Sequence, residues 1–308
     1  MNSKGVCLVS GSSSGIGAEI ATYFASQGFD IVVNYNSGQE RAEIIAAEAR
    51  KNHSVETLIV QADLSDPDAA SNLVRESYAH FGRLDYCVSN SGVANYVKDE
   101  DGNLIRHRFQ DTPTAHLEKE MQRVLSLNLL GSYRLSQSAL SVMIEQADKE
   151  RKLKQDVSHR SILFVTSISD IAPETTRIPY GVSKSGINHV VLGAAIEGGP
   201  HNITVNGLRP GVVDTPLTSR PSGIHDPSTG QEYTVAETYG IMAEGGAQPI
   251  ERIGTSQEIA CAAYYFCKIP YMTGQLIAVD GGFTLNSGFA NRDVFLQEGL
   301  RKRNKKNN

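Results

Sequence analysis

Short apolar runs alternate along this chain with longer stretches whose apolar residues recur every three or four positions. Val6–Ser10 reads as a strand, and Gly15–Gln27 as a helix with Ile16, Ile20, Tyr23 and Phe24 on one face. Asp30–Tyr35 is a second strand, followed by a charged, alanine-rich helix from Gln39 to Lys51. Glu56–Gln61 and Asp85–Ser89 are further strands, with a helix from about Pro67 to Phe81 between them. Ser161–Thr166, Thr204–Leu208 and Leu276–Val279 complete a set of seven. These strands are rich in Val, Ile and Leu with little polar alternation, so both faces are expected to be buried. Strand–helix alternation with such strands predicts an α/β fold: one doubly wound domain, its seven-stranded parallel sheet covered by helices on both faces.

Three stretches break this rhythm. Val97–Pro113 is a polar insertion with a turn signal at Asp101–Gly102, and Ala147–Arg160 is highly charged. Pro210–Pro249 is a long segment punctuated by Pro and Gly, and a loop of that length in a compact domain is usually functional or mobile. This segment, 210–250, and the insertion Val97–Pro113 are expected to wall a substrate pocket. The last eight residues include Arg301, Lys302, Arg303, Lys305 and Lys306. The expectation is a domain over 1–290 and a basic C-terminal tail over 291–308, its last eight residues solvated and disordered or else a contact tail.

Composition narrows the function. The chain has 308 residues, 40% of them hydrophobic, enough for a full core, and a net charge of −5 that does not favour nucleic acid. No apolar run approaches the ~18 residues of a membrane span, so no membrane role is expected. Cys7, Cys87, Cys261 and Cys267 form no C-x-x-C pair, which suits a reduced, cytoplasmic protein. The eight histidines show no metal-ligand spacing, so no metal is expected.

The first strand runs into Gly11, Gly15 and Gly17, spaced G-x-x-x-G-x-G, with Ser13, Ser14 and Ile16 between them. Glycines there let the backbone turn tightly and approach a pyrophosphate, and the helix start offers free N–H groups. An ordinary strand–helix turn is the bland alternative. The same residues also fit the G-x-S-x-G elbow of serine hydrolases. However, only ten residues precede it, leaving no earlier loop to complete an oxyanion hole. An acidic residue usually closes the second strand of an NAD site. Here Asn34-Tyr35-Asn36-Ser37 stands there, with Arg41 one turn further on. Without a carboxylate to repel a 2′-phosphate, and with Asn34, Asn36 and Ser37 as hydrogen-bond donors, NADP(H) is favoured over NAD(H). Asp63, with Leu64 beside it, is a candidate for the adenine amino group, or a simple helix cap.

Ser167 follows the strand Ser161–Thr166, and thirteen residues later comes Tyr180-Gly181-Val182-Ser183-Lys184. Tyr180 and Lys184 share one helix face. A phenol of pKa ~10 is a poor base at neutral pH unless neighbouring cations favour the phenolate. A tyrosine so placed can pass a proton to or from an alcohol or ketone oxygen, with Ser167 hydrogen-bonding that oxygen.

Over roughly Lys4 to Leu285 these motifs resemble the short-chain dehydrogenase/reductase family. Ser10-Gly11 with Gly15-Ile16-Gly17 resembles its cofactor loop, and Asn90 with Gly92 its turn after the fourth strand. Asn128 resembles the asparagine with which the family holds a proton-relay water. Pro210-Gly211, Val213 and Thr215 resemble the segment that closes over the nicotinamide, and Asp280-Gly281-Gly282 the turn after the last strand. The resemblance implies a Rossmann-type fold and a catalytic set of Asn128, Ser167, Tyr180 and Lys184. Tyr180 and Lys184 would also touch the cofactor. Ser10 replaces a threonine, and Ser89 and Ser91 replace an Asn and an Ala. The four-residue step from Tyr180 to Lys184 separates the chain from enoyl reductases, whose lysine lies further away.

Within the family the chain most resembles β-ketoacyl-acyl carrier protein reductases. The likeness lies in Asn34-Tyr35, Ile203-Thr204-Val205-Asn206, Arg209-Pro210-Gly211 and Thr273-Gly274-Gln275. Arg134 matches one of that group's two carrier-docking arginines, but Ile196 holds the other place. A 3-oxoacyl thioester or similar small ketone is the first expectation for the substrate; a sugar, polyol or cyclic alcohol is the second. A non-catalytic cofactor-binding sensor or scaffold is the alternative of another class. Arg106, His107 and Arg108 could meet an anionic substrate or simply be a solvated loop. The resemblance also implies a homodimer or homotetramer built on the two long helices around His116–Gln146 and Tyr180–Glu197.

Overall fold

The structure is a computed structural model, and it describes residues 3–306 apart from 95–96, 99–103, 106–108, 175, 228 and 287–290. The first half alternates as read: β1 (Val6–Val9), α1 (Gly15–Ser26), β2 (Asp30–Tyr35), α2 (Gln39–His53), β3 (Thr57–Gln61), α3 (Ala69–Phe81) and β4 (Tyr86–Ser89). A short antiparallel pair, β5 (Val97–Lys98) and β6 (Leu104–Ile105), occupies the polar insertion. The expected turn at Asp101–Gly102, and Arg106, His107 and Arg108, lie outside the described residues. Helices α4 (Thr114–Leu125) and α5 (Ser132–Lys152) follow, joined by a π turn over Ser126–Gly131. Then come β7 (Arg160–Val165), α6 (Ile178–Gly198), β8 (Ile203–Pro210), β9 (Val213–Asp214), β10 (Pro221–His225), β11 (Glu232–Thr234) and α7 (Val235–Met242). The chain ends in β12 (Gly254–Thr255), α8 (Ser256–Cys267), β13 (Leu276–Val279) and α9 (Arg292–Lys306).

Seven strands form one sheet in the order β13-β8-β7-β4-β1-β2-β3, every pair parallel. The order reverses at β1, whose Leu8 lies between Val32 of β2 and Cys87 of β4. In such sheets ligands bind outside the carboxyl ends of the strands at this reversal. Side chains alternate across the sheet. Cys7 and Val9 join one buried cluster with α1, α2 and α8, while Val6 and Leu8 join another with α3, α5 and α6. Burial on both faces is why these strands lack a polar side.

The structure departs from the sequence reading in three places. Strand β7 begins one residue earlier, at a buried arginine; Arg160 is admitted because Glu150, on the end of α5, takes its guanidinium at 2.6 Å. The segment Pro210–Pro249 is largely ordered secondary structure. It holds the β10–β11 hairpin and α7, whose start is a capping box between Thr234 and Glu237. The basic tail is the third departure: residues 292–306, including 301–306 of the stretch read as disordered, form the helix α9, docked on α7. Phe295 and Leu296 pack into a small cluster of Ile168, Val235, Tyr239, Met242 and Phe283. Lys302 donates to the Glu244 carbonyl, and Arg303 pairs with the Glu244 carboxylate at 2.7 Å. The docking is close because two glycines face it. A Cβ on Gly299 would lie 1.9 Å from the Ile241 carbonyl oxygen, and one on Gly245 would lie 1.9 Å from that of Phe295.

Candidate active site

One cleft of about 670 Å³ opens along the carboxyl ends of β1, β2, β4, β7 and β8, long enough to take an extended ligand across the sheet reversal. At one end lies the glycine loop. Gly11 has φ +61°, a left-handed conformation that favours glycine. A Cβ on Gly17 would stand 2.5 Å from the Gly11 carbonyl oxygen and 2.4 Å from Asn90 Nδ2, so the loop closes only on a bare backbone. Ser14 occupies the N-cap of α1 in extended conformation, and its hydroxyl makes no capping bond. The first N–H groups of α1 are thus left without a side-chain cap where they face the cleft. Gly15 and Ile16 of that first turn, together with Ser13, line the same end. A bare glycine turn ahead of a helix start with no side-chain cap suits a diphosphate. These residues fit a dinucleotide.

Ser10 and Asn90 lock the loop to β4. The Ser10 hydroxyl accepts from the N–H groups of Asn90 (2.9 Å) and Ser91 (3.0 Å), and Asn90 Nδ2 donates to the Ser10 carbonyl at 3.0 Å. Asn34 lines the cleft, but its side-chain amide is spent within the protein. It is 1% exposed, its Oδ1 accepts from Gly11 N–H at 2.9 Å, and its Nδ2 donates to the carbonyls of Val60 and Ala62. A parallel sheet leaves such carbonyls open at its end, and the amide is consumed there. Asn36, Ser37 and Arg41 line the cleft as well. Arg41 reaches back over Gly38 toward Ser13. Asp63 lines it too, its carboxylate held below the usual range chiefly by the Ser65 hydroxyl, with the Ser65 N–H and Asn36 adding to it. Leu64 is buried, and its backbone meets the π turn at Gly131.

The other end of the cleft carries the reactive side chains. Ser167 follows β7 and caps a short 3₁₀ turn; its Oγ accepts from Ser169 N–H at 3.1 Å and donates to Ser169 Oγ at 3.2 Å. Tyr180 stands in the first turn of α6, where Pro179 needs no N–H partner. Lys184, one turn on, is 4% exposed, lies 5.7 Å from the Tyr180 ring centroid and donates to the Val165 carbonyl at 3.0 Å. Gly92 abuts it: a Cβ there would stand 3.6 Å from Lys184 Nζ, an ordinary contact, and 3.3 Å from Asn128 Oδ1. Pro210, Gly211, Val213 and Thr215 close the side facing α1. A Cβ on Gly211 would meet Asp280 Cα at 2.7 Å, which ties this segment to the turn after β13.

Asn128 is fully buried in the π turn, the extra backbone residue that such turns place at functional sites. Its Oδ1 accepts from Val93 N–H at 2.8 Å, and its Nδ2 donates to the Val93 carbonyl at 2.9 Å and to Ser183 Oγ at 3.1 Å. Both side-chain donors are therefore committed within the protein rather than to a water. The side chain instead fixes the turn after β4 against α6. Ser183 is one residue that sequence reasoning passed over, although it stood inside the Tyr–Lys motif. Ser12, whose hydroxyl donates to the Val9 carbonyl and accepts from Asn34 N–H, is another. Arg177 is a third; its guanidinium lies 4.9 Å from the Tyr180 ring centroid, and no spacing in the sequence signalled it.

Comparison with known proteins agrees with this geometry. The family model described as enoyl-(acyl carrier protein) reductase matches residues 11–284. A versicolorin reductase from Emericella nidulans is 30% identical over 281 residues, covering 90% of this chain and 94% of that one. The 3-oxoacyl-[acyl-carrier-protein] reductase of Staphylococcus aureus is 28% identical over 277 residues, covering 89% and 96%. The crystal structure of acetoin dehydrogenase from Enterobacter cloacae superposes with a TM-score of 0.71 at 27% identity, covering 93% of this chain and 98% of that one. The chain belongs to the short-chain dehydrogenase/reductase family and is an NAD(P)-dependent oxidoreductase acting on CH–OH groups. With that, the reading as a non-catalytic sensor falls away.

Proposed function

We propose that the enzyme reduces a ketone to a secondary alcohol with NADPH, and that Ser167, Tyr180, Lys184 and Asn128 carry the reaction. The observation that supports this most is Tyr180 lying beside Lys184 on α6, in the same cleft as Ser167 at the end of β7 and at the sheet reversal. When bound, the cofactor would supply hydride to the carbonyl carbon. Ser167 and Tyr180 hold the carbonyl oxygen by hydrogen bonds, and Tyr180 gives it a proton as negative charge develops there. Lys184 stabilises the phenolate left behind, and Asn128 keeps Ser183 and the turn at Val93 in place around it. At the far end Gly11, Ser13, Ser14, Gly15, Ile16 and Gly17 would receive the diphosphate, with Asp63 and its neighbour Leu64 toward the adenine, and Asn90 and Gly92 after the fourth strand. Arg41, with Asn36 and Ser37, favours a 2′-phosphate, and so NADP(H) over NAD(H).

A 3-oxoacyl thioester or a related ketone is the preferred substrate. The names of two of the relatives, a 3-oxoacyl reductase and a versicolorin reductase, support a ketone-reducing role. An L-rhamnose 1-dehydrogenase of Sphingomonas, 27% identical, supports sugar oxidation as the second reading. The Tyr180–Lys184 step argues against enoyl reduction. Four free cysteines, three of them buried, suit a reducing, cytoplasmic setting. No helix among the described residues is long and apolar enough to cross a membrane.

The test is cofactor oxidation, followed by absorbance, over a carbonyl panel that includes an acetoacetyl thioester. Tyr180→Phe is expected to lower kcat by about 10²–10⁴-fold while cofactor still binds. Arg41→Ala is expected to raise KM for NADPH and leave that for NADH unchanged. Wild-type turnover that survives Tyr180→Phe would remove the assignment.

A further inference from the structure

Tyr180 has a second cation beside it, and that cation is wired to the C-terminal helix. Arg177 caps α6 three residues before the tyrosine, and its guanidinium carbon lies 4.9 Å from the ring centroid, closer than the Lys184 ammonium at 5.7 Å. Arg177 Nη1 is held by Glu174 at 3.3 Å, and the Glu174 side chain is only 7% exposed. The same carboxylate receives Arg292, the first residue of α9, at 3.6 Å. Arg292 in turn lies 5.8 Å from the ring of Tyr239, which lines the cleft. A buried carboxylate cannot give up a cationic partner cheaply, so the three side chains are held as a unit.

We propose that Arg177 is a positioning residue for Tyr180, and that α9 sets its position through Arg292 and Glu174. This rests on Tyr180 being the proton donor. A guanidinium on the ring face restricts the tilt of the phenol and stabilises the charge left on it when the proton departs. Arg177 need not touch substrate to do this. The docking of α9 through Gly245, Gly299, Phe295 and Leu296 gives Arg292 a fixed origin. Helix α9 is thereby part of the catalytic apparatus, 112 positions along the chain from Tyr180.

The experiment uses the full chain and the best carbonyl of the panel. Arg177→Gln is expected to lower kcat about tenfold, with KM for the carbonyl and cofactor affinity within about twofold. Arg177→Lys, which keeps the charge, is expected to recover part of the loss. Arg292→Gln should lower kcat in the same direction by less, and the Arg177→Gln/Arg292→Gln double variant should be no worse than Arg177→Gln alone. On a Tyr180→Phe background, Arg177→Gln should have no further effect. Four results would overturn the proposal. One is additive loss in the double variant. Another is a rise in KM confined to anionic carbonyls, which would make Arg177 a substrate contact. The third is an equal loss in Arg177→Lys and Arg177→Gln that follows a lowered Tm, which would make its role structural. The fourth is Tyr180→Phe keeping full activity, which would remove the reading beneath it.

Discussion

Asn34 shows how a polar side chain at a strand end can shape a ligand site through its contacts within the protein. Its amide joins the glycine loop to the open carbonyls of β3, so the loop arrives already shaped and the ligand need not order it. On the proposed reading, cofactor selectivity falls to exposed neighbours such as Arg41, a division that composition at the strand end could not reveal. His159 offers a different test at this scale. It is half buried against Thr204, and burial, helped by the Lys268 charge, holds its pKa below the usual 6.5. The unfolded chain therefore binds the proton first. Stability from this group is full above about pH 6.5 and is lost as pH falls toward the lower folded value. Urea midpoints of wild type should drop between about pH 7.5 and about pH 5.5 by more than those of His159→Gln. Equal drops would show that His159 contributes nothing.

Among the elements, α9 is the one whose contacts were least legible. Its apolar positions, Val294, Phe295, Leu296 and Leu300, are few, and its charges suggested water rather than Glu244 and Glu251. Gly299→Ala places a methyl against the Ile241 carbonyl and is expected to cost about 1–3 kcal/mol, read as a lowered Tm. Gly240→Ala, on α7 with open space around its Cβ position, is expected to be neutral or slightly stabilising. Equal effects at both sites would mean that α9 is not docked as described. Elsewhere local pattern carried further. The seven strands were readable because burial on both faces leaves runs of Val, Ile and Leu. Tyr180, Lys184 and the glycine loop were readable because their chemistry demands fixed spacing. Arg177, Glu174 and Arg292 act through contacts across 118 positions, for which local pattern holds no signal.

At the scale of the molecule, apolar side chains remain uncovered on the two long helices. Leu130 and Tyr133 border α5, and Val182, Leu192 and Ile196 stand on α6, with Ile196 78% exposed. We expect these faces to meet in a homodimer or homotetramer, measured as molar mass by light scattering at micromolar concentration; a monomer would refute it. Ile196→Glu should shift the mass toward the monomer.

The two large buried clusters flank the sheet, while the third, with Ile168, Tyr239 and Phe283, sits apart beneath α7 and α9. A cluster that small can open by itself while the sheet stays folded. Ile168 directly follows Ser167, so each such opening also loosens the serine. Denaturant should therefore abolish turnover at a concentration where the dinucleotide still binds and the helical signal is intact. The enzyme would be silenced before it unfolds, and coincident loss of all three signals would show that the clusters melt as one.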